Sequence, residues 1–366
     1  MAASDAAQTD PAVSLDDPSS FKSLDSRGML RMAEDFPAQC RKGLELGDAL
    51  DFDDSYRIEY SALVGLGMGG SAIGSDLLAA IYRDELTVPP GTVREYALPA
   101  WVGERTLVFA VSYSGNTEET LAAFHQARRR GARVIGVTSG GELERLCKQD
   151  RVPCVVVPGG QPPRASTGYL LMPMVAIVER LGLIGDQSAA RRECLDLLEA
   201  QAQEYAPQFP AAANRAKQIA ALMHGKVPII YGSTPTLGTV AYRWKTQCNE
   251  NSKVLAHADA LPELDHNEIV GWELGREMLK QRCVIVLVDP DMSRQMQRRL
   301  DITQEVLGAD VEVHRETARG SSGLAKVVSA MFLGDCATLY LAFLNGVDPV
   351  EIKPIDTLKR RLAEGR

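Results

Sequence analysis

Two loops of small residues stand where an anion could be held. Gly65-Leu66-Gly67-Met68-Gly69-Gly70-Ser71 and Ser112-Tyr113-Ser114-Gly115-Asn116-Thr117 each follow an apolar run and precede a run of helical periodicity. At the start of a helix, backbone N–H groups lack an intrahelical acceptor, and the helix dipole favours negative charge. In the second loop, Ser112, Ser114 and Thr117 add three hydroxyl donors and no lysine is present. That set suits a single phosphate monoester, such as a sugar phosphate, better than a nucleoside triphosphate.

The first loop has a rival reading. Gly65, Gly67 and Gly70 satisfy G-x-G-x-x-G, and Glu95 follows 25 residues after Gly70, where a ribose-binding acid would stand. A dinucleotide-dependent dehydrogenase is one alternative. A tight turn that needs glycine and no ligand is another.

A third region, residues 243–272, is dense in ionisable groups: Lys245, Glu250, Lys253, His257, Asp259, Glu263, Asp265, His266 and Glu268. Polar groups between core elements form sites, although charged loops are also commonly solvated. His257 and His266 are nine residues apart with no H-x-H or H-E-x-x-H spacing, so a zinc site is unmotivated.

Alternating strands and helices must position these groups. Strands are expected at 61–64, 93–96, 106–111, 133–138 and 154–157, with helices at 71–83, 117–130, 141–148 and 169–183. Residues 187–224 read as two helices divided by Pro207 and Pro210. The pattern then restarts, with strands at 227–231, 253–256, 282–289 and 310–314 and helices at 236–247, 292–307 and 323–345. The expectation is an α/β fold of two doubly wound lobes, each a parallel sheet flanked by helices, with ligand sites at strand C-terminal ends. The domain reading is 1–50, a mobile tail to about residue 20 and then a helix over 28–50 interrupted or bent at Pro37; 51–186, the first lobe; and 187–366, a helical connector with the second lobe.

The 366 residues carry a net charge of −8, which argues against nucleic acid as a partner. Seven cysteines without a C-x-x-C fit reduced thiols in the cytoplasm. No apolar stretch is read as membrane-spanning, and the N-terminus lacks a signal-peptide pattern.

Several short segments occur in one order: Gly-Met-Gly-Gly-Ser (67–71), Ser-Tyr-Ser-Gly-Asn-Thr-Glu-Glu-Thr (112–120), Pro-Pro-Arg (162–164), Asn-Glu-Asn-Ser-Lys (249–253), Leu-Pro-Glu-Leu-Asp-His-Asn-Glu-Ile-Val-Gly (261–271) and Gly-Val-Asp-Pro (346–349), with Leu358-Lys359 near the end. Over residues 55–363 the chain resembles the bifunctional phosphoglucose/phosphomannose isomerase family, built from two sugar isomerase (SIS) domains. The resemblance implies aldose–ketose isomerisation through a cis-enediol(ate), without a metal or other cofactor. It implies Glu250 as the base that shuttles the proton. His266 would act in ring opening from the neighbouring subunit of a homodimer, with Lys359 (Lys353 competing) as its helper. Arg164 would stabilise the enediolate, and Gly69, Gly70, Ser71, Ser112, Ser114 and Thr117 would hold the phosphate. Asp265 stands where asparagine is equally familiar, and no residue is assigned to acceptance of the mannose epimer. A non-catalytic SIS-domain sensor, or an isomerase of another sugar phosphate, is the alternative.

Overall fold

The computed structural model describes residues 13–273 and 280–364. Its first sheet contains β1 (Ala62–Leu66), β2 (Pro90–Val93), β3 (Thr106–Val111), β4 (Arg133–Thr138) and β5 (Cys154–Val156), all parallel, in the order β2-β1-β3-β4-β5. β1 and β3 are buried along their whole length, as strands covered on both faces must be. Leu66 pairs with Ala110, so the two small-residue loops leave adjacent strands side by side. This is where the strand order reverses, the position that receives ligands in doubly wound sheets.

The second sheet contains β6 (Val227–Gly232), β7 (His257–Ala260), β8 (Arg282–Val288) and β9 (Val313–Thr317), again parallel, in the order β7-β6-β8-β9. The helices are α1 (Met29–Glu34), α2 (Phe36–Ala49), α3 (Ile73–Ile81), α4 (Glu118–Arg129), α5 (Gly141–Asp150), α6 (Thr167–Arg180), α7 (Ser188–Glu204), α8 (Arg215–Met223), α9 (Pro235–Ser252), α10 (Arg294–Leu307), α11 (Gly323–Leu344) and α12 (Lys353–Glu364).

One central core joins the two lobes. Leu63, Phe109 and Ile135 of the first sheet and Ile230, Ile285 and Leu287 of the second share it with side chains of α2, α6, α7, α9 and α11. The alternate strand residues face two outer cores, one built on Val64, Val108 and Val134 and the other on Tyr231, Val284 and Val286.

Several expectations are corrected. Residues 13–24 are packed rather than mobile: Leu15 and Phe21 are buried, and the Phe21 ring stacks on Phe343 with centroids 4.8 Å apart. Two isolated apolar anchors leave no periodic trace in a sequence. Residues 1–12 lie outside the described residues. The helix over 28–50 is interrupted near Pro37, as expected, into α1 and α2, and Pro37 sits in the first turn of α2, where its missing N–H costs nothing. β2, β7 and β9 are displaced by three or four residues from the expected strands. Helix α9 runs on to Ser252, so residues 248–252 are helix rather than loop.

Helix α11 also corrects the membrane reading. Its 22 residues, with mean hydropathy 1.8, are long and apolar enough to span a bilayer, but 89% of that window is buried inside the protein. A helix enclosed by α7, α8 and α9 is apolar all round for that reason.

Candidate active site

The two small-residue loops are tied together by their own hydroxyls. Ser71 Oγ accepts from the Tyr113 N–H at 3.1 Å, linking the first loop to the second. The hydroxyls of Ser112 and Thr117 lie 2.8 Å apart across the mouth of the second loop. Thr117 is the N-cap of α4, yet it makes no side-chain cap bond, so its hydroxyl is turned to Ser112. Ser114 is exposed, its Oγ accepting from the Asn116 N–H at 3.3 Å. Gly115 holds φ of +71°, and a Cβ there would lie 1.8 Å from Gly140 O, so only glycine closes this loop.

Gly70 is also required by packing within the chain. A Cβ on it would meet Arg164 N and Pro163 C at 2.9 Å. Its bareness lets the short 3-10 turn Pro163–Ala165 dock against the first loop. Gly69, at φ +50°, has open space where its Cβ would be. Tyr113 reinforces the connection: its hydroxyl donates to Pro158 O at 2.9 Å and accepts from the Gln161 N–H at 3.2 Å. The serine loop and the turn carrying Arg164 are therefore held together.

Arg164 is 3% exposed, and its guanidinium is almost fully engaged. Nε donates to Asn251 Oδ1 at 2.8 Å, and Nη2 donates to Pro349 O at 2.6 Å and Val350 O at 3.1 Å. Nη1 reaches Glu250 Oε2 at 3.4 Å. Burial pulls the guanidinium below its ordinary pKa, while the Glu250 charge opposes that shift. Glu250 stands in the last turn of α9 with 28% of its side chain exposed. A carboxylate at a helix C-terminus meets the negative end of the dipole, and the facing guanidinium offsets this. The pair places a half-buried carboxylate next to a fixed positive charge. That arrangement can exchange a proton on carbon while a neighbouring oxyanion is stabilised.

A pocket of about 600 Å³ opens beside Glu250, lined by Lys253, Leu255, Asp348, Ile352 and Ile355 among others. A larger groove of about 880 Å³ between α3 and α9 contains none of the candidate residues. Lys253 shares the Glu250 pocket, and burial, followed by the positive charge of Arg164, draws its ammonium down to about 8.

The single chain brings neither His266 nor Lys359 to the Glu250 pocket. His266 is exposed in the 3-10 turn Glu263–His266 and has no hydrogen-bond partner among the described residues. Asp265 beside it anchors that turn: its carboxylate accepts from Arg299 at 2.9 Å and Thr303 at 2.8 Å, both on α10. Lys359 is exposed on α12, and neither it nor His266 lines the pocket. Lys353 does line it, although its ammonium is paired with Glu351 at 2.7 Å. His257 groups not with His266 but with Asp259 and Glu268, their ligand atoms within 4.8 Å of one another. Within this group His257 Nε2 lies 2.6 Å from Glu268 Oε2, and Tyr231 donates to the same carboxylate.

Sequence reasoning missed Asn251, the main-chain carbonyls of Pro349 and Val350, and the buried pair Arg243–Asp335. Asn251 lay in plain view inside Asn-Glu-Asn-Ser-Lys. Carbonyl acceptors carry no residue-type signal at all.

Comparison with known proteins decides the family. Residues 212–362 match the model described as the bacterial phospho-glucose isomerase C-terminal SIS domain, and residues 68–151 match the SIS domain. The bifunctional phosphoglucose/phosphomannose isomerase of Caldicellulosiruptor bescii is 37% identical over 92% of this chain and 99% of its own length. The chain belongs to the bifunctional phosphoglucose/phosphomannose isomerase family. The family's protein from Thermoplasma volcanium is 36% identical over 87% of this chain and 98% of its own. In fold, the chain is similar to a glucose-6-phosphate isomerase like protein from Thermus thermophilus, at TM-score 0.60 and 21% identity, covering 93% of this chain and 98% of that one. Both lobes are thus SIS-type, and the dinucleotide reading of residues 65–70 gives way to one in which Gly70 admits the Arg164 turn.

Proposed function

We propose that this protein interconverts glucose 6-phosphate and mannose 6-phosphate with fructose 6-phosphate. The observation that carries the reading is the Glu250–Arg164 pair at 3.4 Å, beside a pocket and fastened to the serine loop, in a chain of this family. The phosphate rests against Ser71, Ser112, Ser114 and Thr117 and the start of α4. Glu250 takes the proton from C2 of the open-chain aldose and returns it to C1, and the reverse reaction retraces the path. The negative charge that develops on the enediolate oxygens faces Nη1 of Arg164, the one guanidinium nitrogen not committed to neutral acceptors. His266, supplied by a second copy of the chain, and Lys359 pass protons to and from the ring oxygen and the C1 hydroxyl. The exposure of His266, with no hydrogen-bond partner among the described residues, supports its service at another subunit's site. Seven free cysteines support action in the reducing cytoplasm.

The direct test is a coupled assay on purified protein in EDTA, offering glucose 6-phosphate and mannose 6-phosphate separately and detecting fructose 6-phosphate. Turnover of both substrates is expected. Binding of a sugar phosphate with no turnover would instead identify a sensor, and loss of turnover in EDTA would bring in a metal.

The origin of His266 is tested by complementation. Glu250→Gln and His266→Ala proteins are each expected to be inactive. Unfolded together and refolded, their mixed dimers contain one site with both native residues, so random pairing returns about a quarter of the native activity. A mixture that stays inactive would mean that His266 serves its own chain.

A further inference from the structure

Lys253 closes helix α9 in a conformation that a lysine rarely adopts. Its φ is +58°, and the Val254 N–H reaches Cys248 O at 3.1 Å, so Lys253 takes the place in the helix-ending turn that glycine usually fills. Glycine would close this turn with less strain, so the side chain is the reason to look further.

That side chain turns back under the helix end. Nζ donates to Glu250 O at 2.8 Å and Asn251 O at 3.1 Å, two carbonyls of the last turn left without helical partners. It also crosses to the loop before α12, reaching Asp348 O at 2.8 Å and Pro349 O at 3.3 Å. Pro349 O is the acceptor that Arg164 Nη2 uses at 2.6 Å. An ammonium and a guanidinium thus converge on one carbonyl, and three chain segments meet there: the Arg164 turn, the end of α9 and the 348–350 loop.

We propose that Lys253 is a positioning residue for the isomerase reaction, clamping the 348–350 loop to the end of α9 so that Arg164 and Glu250 keep their register. The proposal rests on the assignment of Glu250 and Arg164 as the reacting pair. Lys253 acts through main-chain carbonyls and through Arg164. Without its ammonium, the Asp348 and Pro349 carbonyls lose their tether to α9, and Arg164, which uses the Pro349 and Val350 carbonyls, keeps acceptors that are free to drift. The same loop leads directly into α12 and Lys359, so the clamp also fixes where that helix begins.

Lys253→Gly tests this without threatening the fold, because glycine suits the left-handed turn. The thermal midpoint is expected to match or exceed that of the native protein. The kcat is expected to fall by up to about 100-fold, the scale of a small misplacement of reacting groups, with KM for fructose 6-phosphate nearly unchanged. Lys253→Arg, which restores a cation with several donors, is expected to recover part of that loss. A Lys253→Gly protein with native kcat would overturn the clamp, as would a fall in kcat explained by a lower thermal midpoint. Glu250→Gln, assayed alongside, separates the two claims. If it stays active, the assignment of the reacting pair fails; if it is inactive while Lys253→Gly is normal, only the clamp fails.

Discussion

The Glu250→Gln protein is expected to bind fructose 6-phosphate with near-native affinity and to turn it over about 10²–10⁴-fold more slowly, the range that a positioned acid–base group contributes. Glutamine keeps the length and shape of the side chain in the last turn of α9. It also keeps an oxygen to face Arg164 Nη1, which in the native chain lies 3.4 Å from Glu250 Oε2. The amide cannot take a proton from carbon. Calorimetric titration with fructose 6-phosphate measures the binding, and the coupled assay measures the turnover. A variant that kept near-native kcat would place the proton shuttle on another residue. One that lost binding as well would make Glu250 a substrate ligand first.

A second large effect is expected between α9 and α11. Arg243 on α9 is 1% exposed and makes a two-pronged pair with Asp335 on α11: Nε to Oδ1 at 3.1 Å and Nη2 to Oδ2 at 3.0 Å. Nη2 also donates to Arg164 O at 2.6 Å. Arg243→Met leaves the Asp335 charge buried without its counterion, and about 3–5 kcal/mol of stability is expected to be lost at pH 7. Adding Asp335→Leu is expected to return much of it, because the stranded charge is then gone. Denaturant unfolding of both variants makes the measurement. A deficit under about 1 kcal/mol would mean that the site relaxes or hydrates freely.

The pH dependence of this variant has a definite sign. Burial raises the Asp335 pKa above 3.8 even with Arg243 opposing it, and removing Arg243 raises it further. Between the unfolded and folded values the native state holds the extra proton, so stability falls as pH rises through that window. The Arg243→Met deficit is therefore smaller at pH 5 than at pH 7. An unchanged deficit would mean that removing Arg243 leaves the protonation of Asp335 the same between pH 5 and 7.

Much of the architecture was legible because parallel strands buried on both faces write themselves as unbroken apolar runs. β3 and β4 fell where Thr-Leu-Val-Phe-Ala-Val and Arg-Val-Ile-Gly-Val-Thr stand. Edge and short strands were less clear. β2 and β7, each at a sheet edge and largely unburied, carry Pro-Gly-Thr-Val and His-Ala-Asp-Ala, and neither has such a run. The continuation of α9 through residues 248–252 was hidden by polar side chains whose partners come from elsewhere. Asn251 Nδ2 donates to Thr338 Oγ1 at 3.1 Å, and Ser252 Oγ donates to Thr338 O at 2.6 Å.

Of the site, the sequence by itself determined the chemistry on offer. Hydroxyl-rich loops at helix starts specify an anion, and the ordered segments from residue 67 to Lys359 specify the family, because both depend on which residues follow one another. Only the tertiary structure decided which groups meet. The Arg164 turn reaches Glu250 across 86 residues because Gly70 has no side chain in its way. Arg164 is then held by carbonyls of Pro349 and Val350, which any residue could supply. Local order is written in side-chain type and spacing, whereas the convergence of distant backbone acceptors on a buried cation is a property of packing, and no residue code records it.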